Sequence, residues 1–198
     1  MNIAFLSSYN GSSAKAITDA CLNKDLIASP VLMISNNANA GALQWADERG
    51  LKTLTINKST HADAKERDIA IADALRRERV TLLVLSGFMQ LIGPETLAAV
   101  NGRALNIHPA LLPKHGGKGM YGRNVHQAVK EAGDNETGIT IHRVNEQYDE
   151  GDIIAQKSIA VLPSHSVDDI EHNARTAEPA FYVETLDKIL RREIAFLD

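Results

Sequence analysis

The stretch LLVLSGFMQLIGPETLAAVNGRALNIHP, residues 82–109, decides the fold. Four apolar residues, Leu82–Leu85, predict a buried strand, Pro94–Val100 carries apolar residues at helical spacing, and Ala104–Ile107 predicts a second strand that Pro109 stops. Strand, helix, strand in that order is the unit of a parallel sheet joined by right-handed crossovers. The same alternation continues toward the N-terminus, with strands over Asn2–Ser7, Pro30–Ser35 and Leu51–Ile56 and helices over Ser13–Asn23, Gly41–Arg49 and Ala62–Glu78. In the last of these Ile69, Ala72 and Leu75 fall on one face with charges opposite. Toward the C-terminus the glycine-rich stretch Pro109–Arg123, with Gly116, Gly117, Gly119 and Gly122, reads as a mobile lid. A helix over Val125–Ala132 follows, then strands over Gly138–Val144 and Ile153–Ala160 and a closing helix over Val167–Ile194. The polar loop between the last two strands is too short for a parallel crossover, so they should run antiparallel to each other. The expected class is α/β, a Rossmann-like open, mostly parallel sheet with helices on both faces and an antiparallel strand pair in its C-terminal part.

With 198 residues and 44% hydrophobic content the chain suits one core and one domain, residues 1–198. A formal charge of -4 and a pI near 6.0 offer no bulk attraction to nucleic acid or an anionic membrane, so neither is an expected partner and an anionic ligand must be held locally. No apolar run approaches the roughly 20 residues that span a bilayer, and MNIAFLSSYNGSS lacks a charged leader before an apolar block; the chain reads as cytoplasmic. The lone Cys21, among Ala16, Ile17, Ala20 and Leu22, reads as a small buried residue.

An open α/β sheet binds ligands beyond the carboxyl ends of its strands, which selects the loops after Ser7, Leu85, Ile107 and Val144. Strand alternation puts Asn106 and His108 on one face at such an end, with Ile107 on the other. A carboxamide beside an imidazole can direct two donors at the oxyanion that forms as a carbonyl becomes tetrahedral. A histidinium serves better than a neutral ring, and a carboxylate favours it; Asp149 is the first candidate, Glu146 and Glu150 the alternatives. Spacing leaves open a plainer reading, in which Asn106 and His108 only hydrogen-bond the backbone of a proline-rich turn. Gly11, Ser12 and Ser13 lie at a helix start, where free amides favour phosphate, or where a serine simply caps the helix. No G-x-G-x-x-G, Walker lysine or G-x-S-x-G is present. His61, His115, His126, His142, His165 and His172 show no zinc spacing; they read as solvated or structural, and no metal is expected.

Nearly the whole chain resembles the folate-dependent formyltransferases, from MNIAFLSSYNGSS through LLVLSGFMQLIGPETL and ALNIHPALLPKHGGKGMYGRNVHQAV to GITIHRVNEQYDEGDII and TAEPAFYVETL. The most specific part is N-x-H-P-x-L-L-P followed by a D-x-G-x-I turn. The resemblance implies catalysis by Asn106, His108 and Asp149, with 10-formyltetrahydrofolate as co-substrate and, within the family, the amine of glycinamide ribonucleotide in purine synthesis as acceptor. It implies phosphate binding at Gly11, Ser12 and Ser13, ribose binding at Glu178, and a folate pocket at Leu85, Met89, Gln90, Leu91, Ile92, Val144, Asn145 and Gln147. The departures are Tyr9 for the usual Gly, Ser13 for Asn, Gln90 for Arg, and Arg175-Thr176-Ala177 for the residues before Glu178, where Arg175 can compensate by meeting phosphate. Alternatives of the same chemistry are another primary amine as acceptor, or hydrolysis of formyltetrahydrofolate. Small molecules are the expected partners of a monomer or homodimer.

Overall fold

Along the first strand, β1 (Asn2–Leu6), Ile3 and Phe5 join one apolar cluster and Ala4 and Leu6 another, all fully buried. A strand buried on both faces belongs at the centre of a parallel sheet. The computed structural model describes residues 1–196 and places β1 there. In chain order the remaining elements are α1 (Ser12–Leu22), β2 (Ser29–Ser35), α2 (Gly41–Asp47), β3 (Lys52–Thr55), α3 (Ala64–Arg77), β4 (Leu82–Leu85), α4 (Pro94–Ala99), β5 (Ala104–His108), α5 (Arg123–Glu131), β6 (Glu136–Arg143), β7 (Ile153–Ala160) and α6 (Val167–Leu190). The sheet order is β3-β2-β1-β4-β5-β6-β7, with the first five strands parallel.

The expected class holds, and several details differ. Besides pairing antiparallel with β7, β6 also runs antiparallel to β5, with Asn106 opposite His142 and His108 opposite Thr140. The helix between β5 and β6 therefore makes no crossover; α5 packs on α6 through Val129 and Ile170. The closing helix stops at Leu190 rather than Ile194, because Arg192 turns left-handed (φ 61°) and sends Phe196 back into the core. Helix starts follow local chemistry: α3 opens with an Asp63–Glu66 capping box and α6 with a Ser166–Asp169 box, which is why α3 begins after Asp63 rather than at Ala62. Cys21 is only partly buried, packing against the edge of the core, and burial pushes its thiol up.

The two faces of the sheet are covered unevenly. Helices α1, α2 and α6 lay Ala14, Ile17, Ala42, Tyr182 and Leu186 over one face along its length, reaching Ile107, Ile139 and Ile141. On the other face α3 and α4 cover β2, β1 and β4 with Ile71, Leu75 and Leu97, and the apolar cluster ends at Ala104 with Val144 against it. Beyond that point, on β5 and β6, the same face carries Asn106, His108, Thr140 and His142, and loops rather than a helix meet it among the described residues. No described helix is long and apolar enough to cross a membrane.

Candidate active site

Because His108 ends β5 and β6 runs back beside it, the cross-strand neighbour of Asn106 is a histidine. Asn106 Nδ2 lies 3.1 Å from His142 Nε2, and His142 Nδ1 lies 3.0 Å from the carbonyl of Arg143. A ring that donates from Nδ1 leaves Nε2 to accept from the carboxamide, which fixes which end of Asn106 is the donor and leaves its second N–H free. Sequence reading missed His142, treating it as structural. The signal was the period of two in Gly138–Val144, which becomes informative once the register with β5 is known.

The register also places Val144 beside Ala104, at the start of β5, so residues 145–152 leave β6 far from His108 and fold back along the uncovered face. That return brings Asp149, rather than Glu146 or Glu150, to the histidines: Oδ2 is 3.4 Å from His108 Nδ1 and Oδ1 is 3.5 Å from His142 Nε2. The Gly117 N–H donates to the same Oδ2 at 3.1 Å. Asp149 itself is left-handed (φ 58°), a conformation Asp and Asn tolerate better than most residues. Burial pushes its carboxyl up, but the His142 ring, the His108 ring and the Gly117 N–H pull it below the ordinary carboxylate range.

His108 is 3% exposed, and its Nε2–H donates to the carbonyl of His115 at 2.8 Å. Both ring nitrogens thus face oxygens, an arrangement only the doubly protonated ring satisfies on both sides. The expected standing histidinium needs a correction, since burial outweighs Asp149 and the His115 carbonyl and holds the ring below the ordinary histidine value. With both nitrogens engaged, a protonated ring offers developing negative charge its positive charge rather than a free N–H. Nearby on α5, His126 is buried with Nδ1 unpartnered among the described residues, and burial lowers its pKa.

The helix start after β1 carries no side-chain cap. Gly11 is the N-cap in a left-handed turn (φ 62°), where a Cβ would meet Ala42 Cβ and Ser7 Oγ at 3.1 Å, and the Ala14 N–H donates to Ser86 Oγ. The serine-cap reading thus has no bond behind it, and helix geometry gives the amides of Ser12 and Ser13 no partner in a preceding turn. Tyr9 is 62% exposed at the mouth of this loop, and Ser13 is buried. Arg175 is exposed and donates to Glu171 one turn back at 3.0 Å, so it is already engaged. Arg67 on α3 donates to the carbonyls of His61 and Ala62. Of the expected folate residues, Leu85 and Ile92 are core-buried, Val144 packs against them, Met89 and Leu91 are exposed, Gln90 is half-buried, and Asn145 Oδ1 accepts from the Gln147 N–H.

Glu178 is half-buried on α6, and burial pushes its carboxyl from about 4.5 up to about 7, with Arg175 pulling it down. The next residue, Pro179, deprives the Arg175 carbonyl of its usual helical donor. The unfolded chain ionises this carboxyl near 4.5 and the folded chain only near 7, so stability is full below about 4.5, declines as pH rises toward 7 and stays reduced above it. Glu178→Gln is therefore expected to exceed the parent in stability at pH 8, by on the order of 2 kcal/mol, and to match it at pH 4. Denaturant unfolding at the two pH values checks this; equal gaps at both would contradict a buried acid.

Residues 1–186 match the family described as formyl transferase. The chain belongs to that family. A phosphoribosylglycinamide formyltransferase of Haemophilus influenzae is 37% identical over 180 residues, 91% of this chain and 82% of that protein. The chloroplastic phosphoribosylglycinamide formyltransferase of Arabidopsis thaliana is 34% identical over 193 residues, 97% of this chain but 66% of that longer protein. The crystal structure of glycinamide ribonucleotide transformylase 1 from Symbiobacterium toebii superposes with a TM-score of 0.90 at 29% identity, covering 100% of this chain and 94% of that one. In this formyl transferase, then, the strand-end asparagine, two histidines and aspartate form a polar cluster on an otherwise apolar sheet, at the place where the sheet lacks its helix cover. No metal-binding group of His, Cys, Asp and Glu occurs among the described residues.

Proposed function

We propose that the chain, acting as one domain, transfers the formyl group of 10-formyltetrahydrofolate to the primary amine of glycinamide ribonucleotide, a step of purine synthesis. The observation that carries the reaction is the convergence of Asn106, His108, His142 and Asp149 on one strand end; the names of the relatives support the acceptor. In this reading the amine nitrogen bonds to the formyl carbon and the carbonyl oxygen becomes an alkoxide. The free Nδ2–H of Asn106 donates to that charge, and the positive charge of a protonated His108, whose two nitrogens face Asp149 and the His115 carbonyl, stabilises it through space. Asp149 favours the charged ring and takes the proton the amine gives up, directly or through water. When the alkoxide collapses, the bond from carbon to the folate nitrogen breaks and that nitrogen is protonated.

The amides of Ser12 and Ser13, with Gly11 allowing close approach, are the phosphate subsite in this reading, and Glu178 takes the ribose hydroxyls. Arg175 would have to give up Glu171 to reach a phosphate. Exposed Met89 and Leu91, with Gln90, Val144, Asn145 and Gln147, face the folate.

A panel of amines offered with 10-formyltetrahydrofolate tests the acceptor. Glycinamide ribonucleotide is expected to exceed amines lacking a phosphate by at least about a hundredfold in kcat/KM, the value of about 3 kcal/mol of lost charged hydrogen bonds. Turnover of another amine in its place removes the purine assignment, and formate release without any amine favours hydrolysis.

A further inference from the structure

Among the described residues Asp134 makes no hydrogen bond to Asn106, His108 or Asp149, yet it binds the side chains that flank the backbone touching two of them. It lies between α5 and β6, where Oδ2 accepts from His115 Nε2 at 2.7 Å and Oδ1 accepts from Lys114 Nζ at 2.5 Å. The side chains of His115 and Asp134 are 12% and 14% exposed, so this is no solvated surface pair. His115 is held left-handed (φ 56°), and its carbonyl accepts from His108 Nε2. Two residues on, the Gly117 N–H donates to Asp149 Oδ2. Between them Gly116 leaves no room for a side chain, since a Cβ there would collide with Leu112 Cδ2 and lie 3.4 Å from Asp149 Cβ. Residues 115–117 thus form a bracket with the imidazole at one end and the carboxylate at the other, and among the described residues Asp134 is the side chain that holds its near end.

We propose that Asp134 is a positioning residue for formyl transfer: by holding Lys114 and His115 together it fixes the backbone at 115–117, which sets both His108 and Asp149. The proposal rests on reading those two residues as the reacting pair. The grip matters through geometry, because it fixes the direction in which the His115 carbonyl points. A strained residue kept left-handed by an anchored side chain returns to ordinary backbone when the anchor is cut, and its carbonyl turns away. The charged and titratable groups around His108 are Asp149 and His142 from the sheet side, His115 from the bracket and His126 from α5; those around Asp134 are Lys114 and His115.

Asp134→Asn in the full chain is the test. It is expected to lower kcat about ten- to hundredfold, as misplacement of a reacting group by about 1 Å does, with both KM values within about threefold of the parent. The His108 ring signals, followed by NMR, should titrate at lower pH than in the parent, because the His115 carbonyl that favours the protonated ring has moved away. Asp134→Glu, which retains a carboxylate, should recover most of the lost kcat. Unchanged kcat with unchanged His108 titration overturns the proposal, and so does a loss of activity that follows a loss of stability while the His108 titration stays put. The titration reads the grip even in a protein that formylates no amine, so failure of the grip and failure of the proposed function are told apart.

Discussion

Asp149→Asn is expected to fold normally and to lose about three orders of magnitude in formyl transfer, measured as kcat with both substrates saturating. The substitution isolates charge from shape. Asparagine accepts the left-handed backbone that Asp149 occupies as readily as aspartate does, and its carboxamide oxygen can still accept from the Gly117 N–H. What disappears is the negative charge 3.4 Å from His108, which together with the His115 carbonyl opposes burial at that ring. The His108 ring should then titrate still lower, leaving the oxyanion without a positive charge beside it and the amine without a proton acceptor. Turnover within tenfold of the parent would sink the proposed mechanism. Alanine is the poorer test, because it adds left-handed strain of about 1 kcal/mol to the loss of charge.

The second large effect is expected at a residue with no chemistry. Gly151 packs flat on the carbonyl of Arg143, and a Cβ at that position would occupy the space of the carbonyl oxygen. The oxygen is backbone in the bulged pair of β6 and β7 and cannot step aside. Gly151→Ala must therefore push out the loop that carries Asp149, two residues away. Overpacking of this kind costs about 1–3 kcal/mol, and a shift of the carboxylate by about 1 Å removes about a hundredfold in rate. The combination is the signature: a lower unfolding midpoint together with a kcat/KM loss beyond what the residual folded fraction explains. A fully active variant would mean that the loop does not depend on this contact.

These two variants also mark where sequence reading stops. The apolar runs at Leu82–Leu85 and Ala104–Ile107 gave away strands because burial on both faces demands such runs, and the strand-end pair Asn106 and His108 followed from alternation alone. The direction of β6 did not follow. The connection from His108 to Glu136 contains a helix long enough for a parallel crossover, and only the packing of α5 on α6 instead of on the sheet reveals the turnback. For the same reason His142 stayed hidden among six other histidines: a residue's cross-strand neighbour depends on register, which a single sequence leaves free. The choice of Asp149 over Glu146 and Glu150 depends on how the loop after β6 folds back, which the polar sequence of that loop does not reveal. The residues that set the bracket, Asp134 and His115, are joined through side-chain contacts across 19 positions, a distance at which no local pattern speaks.

The uneven cover of the sheet has a consequence for how such a protein can change over generations. Where α3 and α4 press on β1, β2 and β4, an altered side chain disturbs a filled apolar layer and is felt as instability. On β5 and β6 the same face meets the loops around 112–117 and 145–151 in place of α3 and α4, so inherited substitutions there can reshape the proposed reaction while the layer beneath stays as it was. Folding and the proposed chemistry are thus exposed to selection on different strands of one sheet, and the reacting groups can be retuned without the ancestral scaffold being rebuilt.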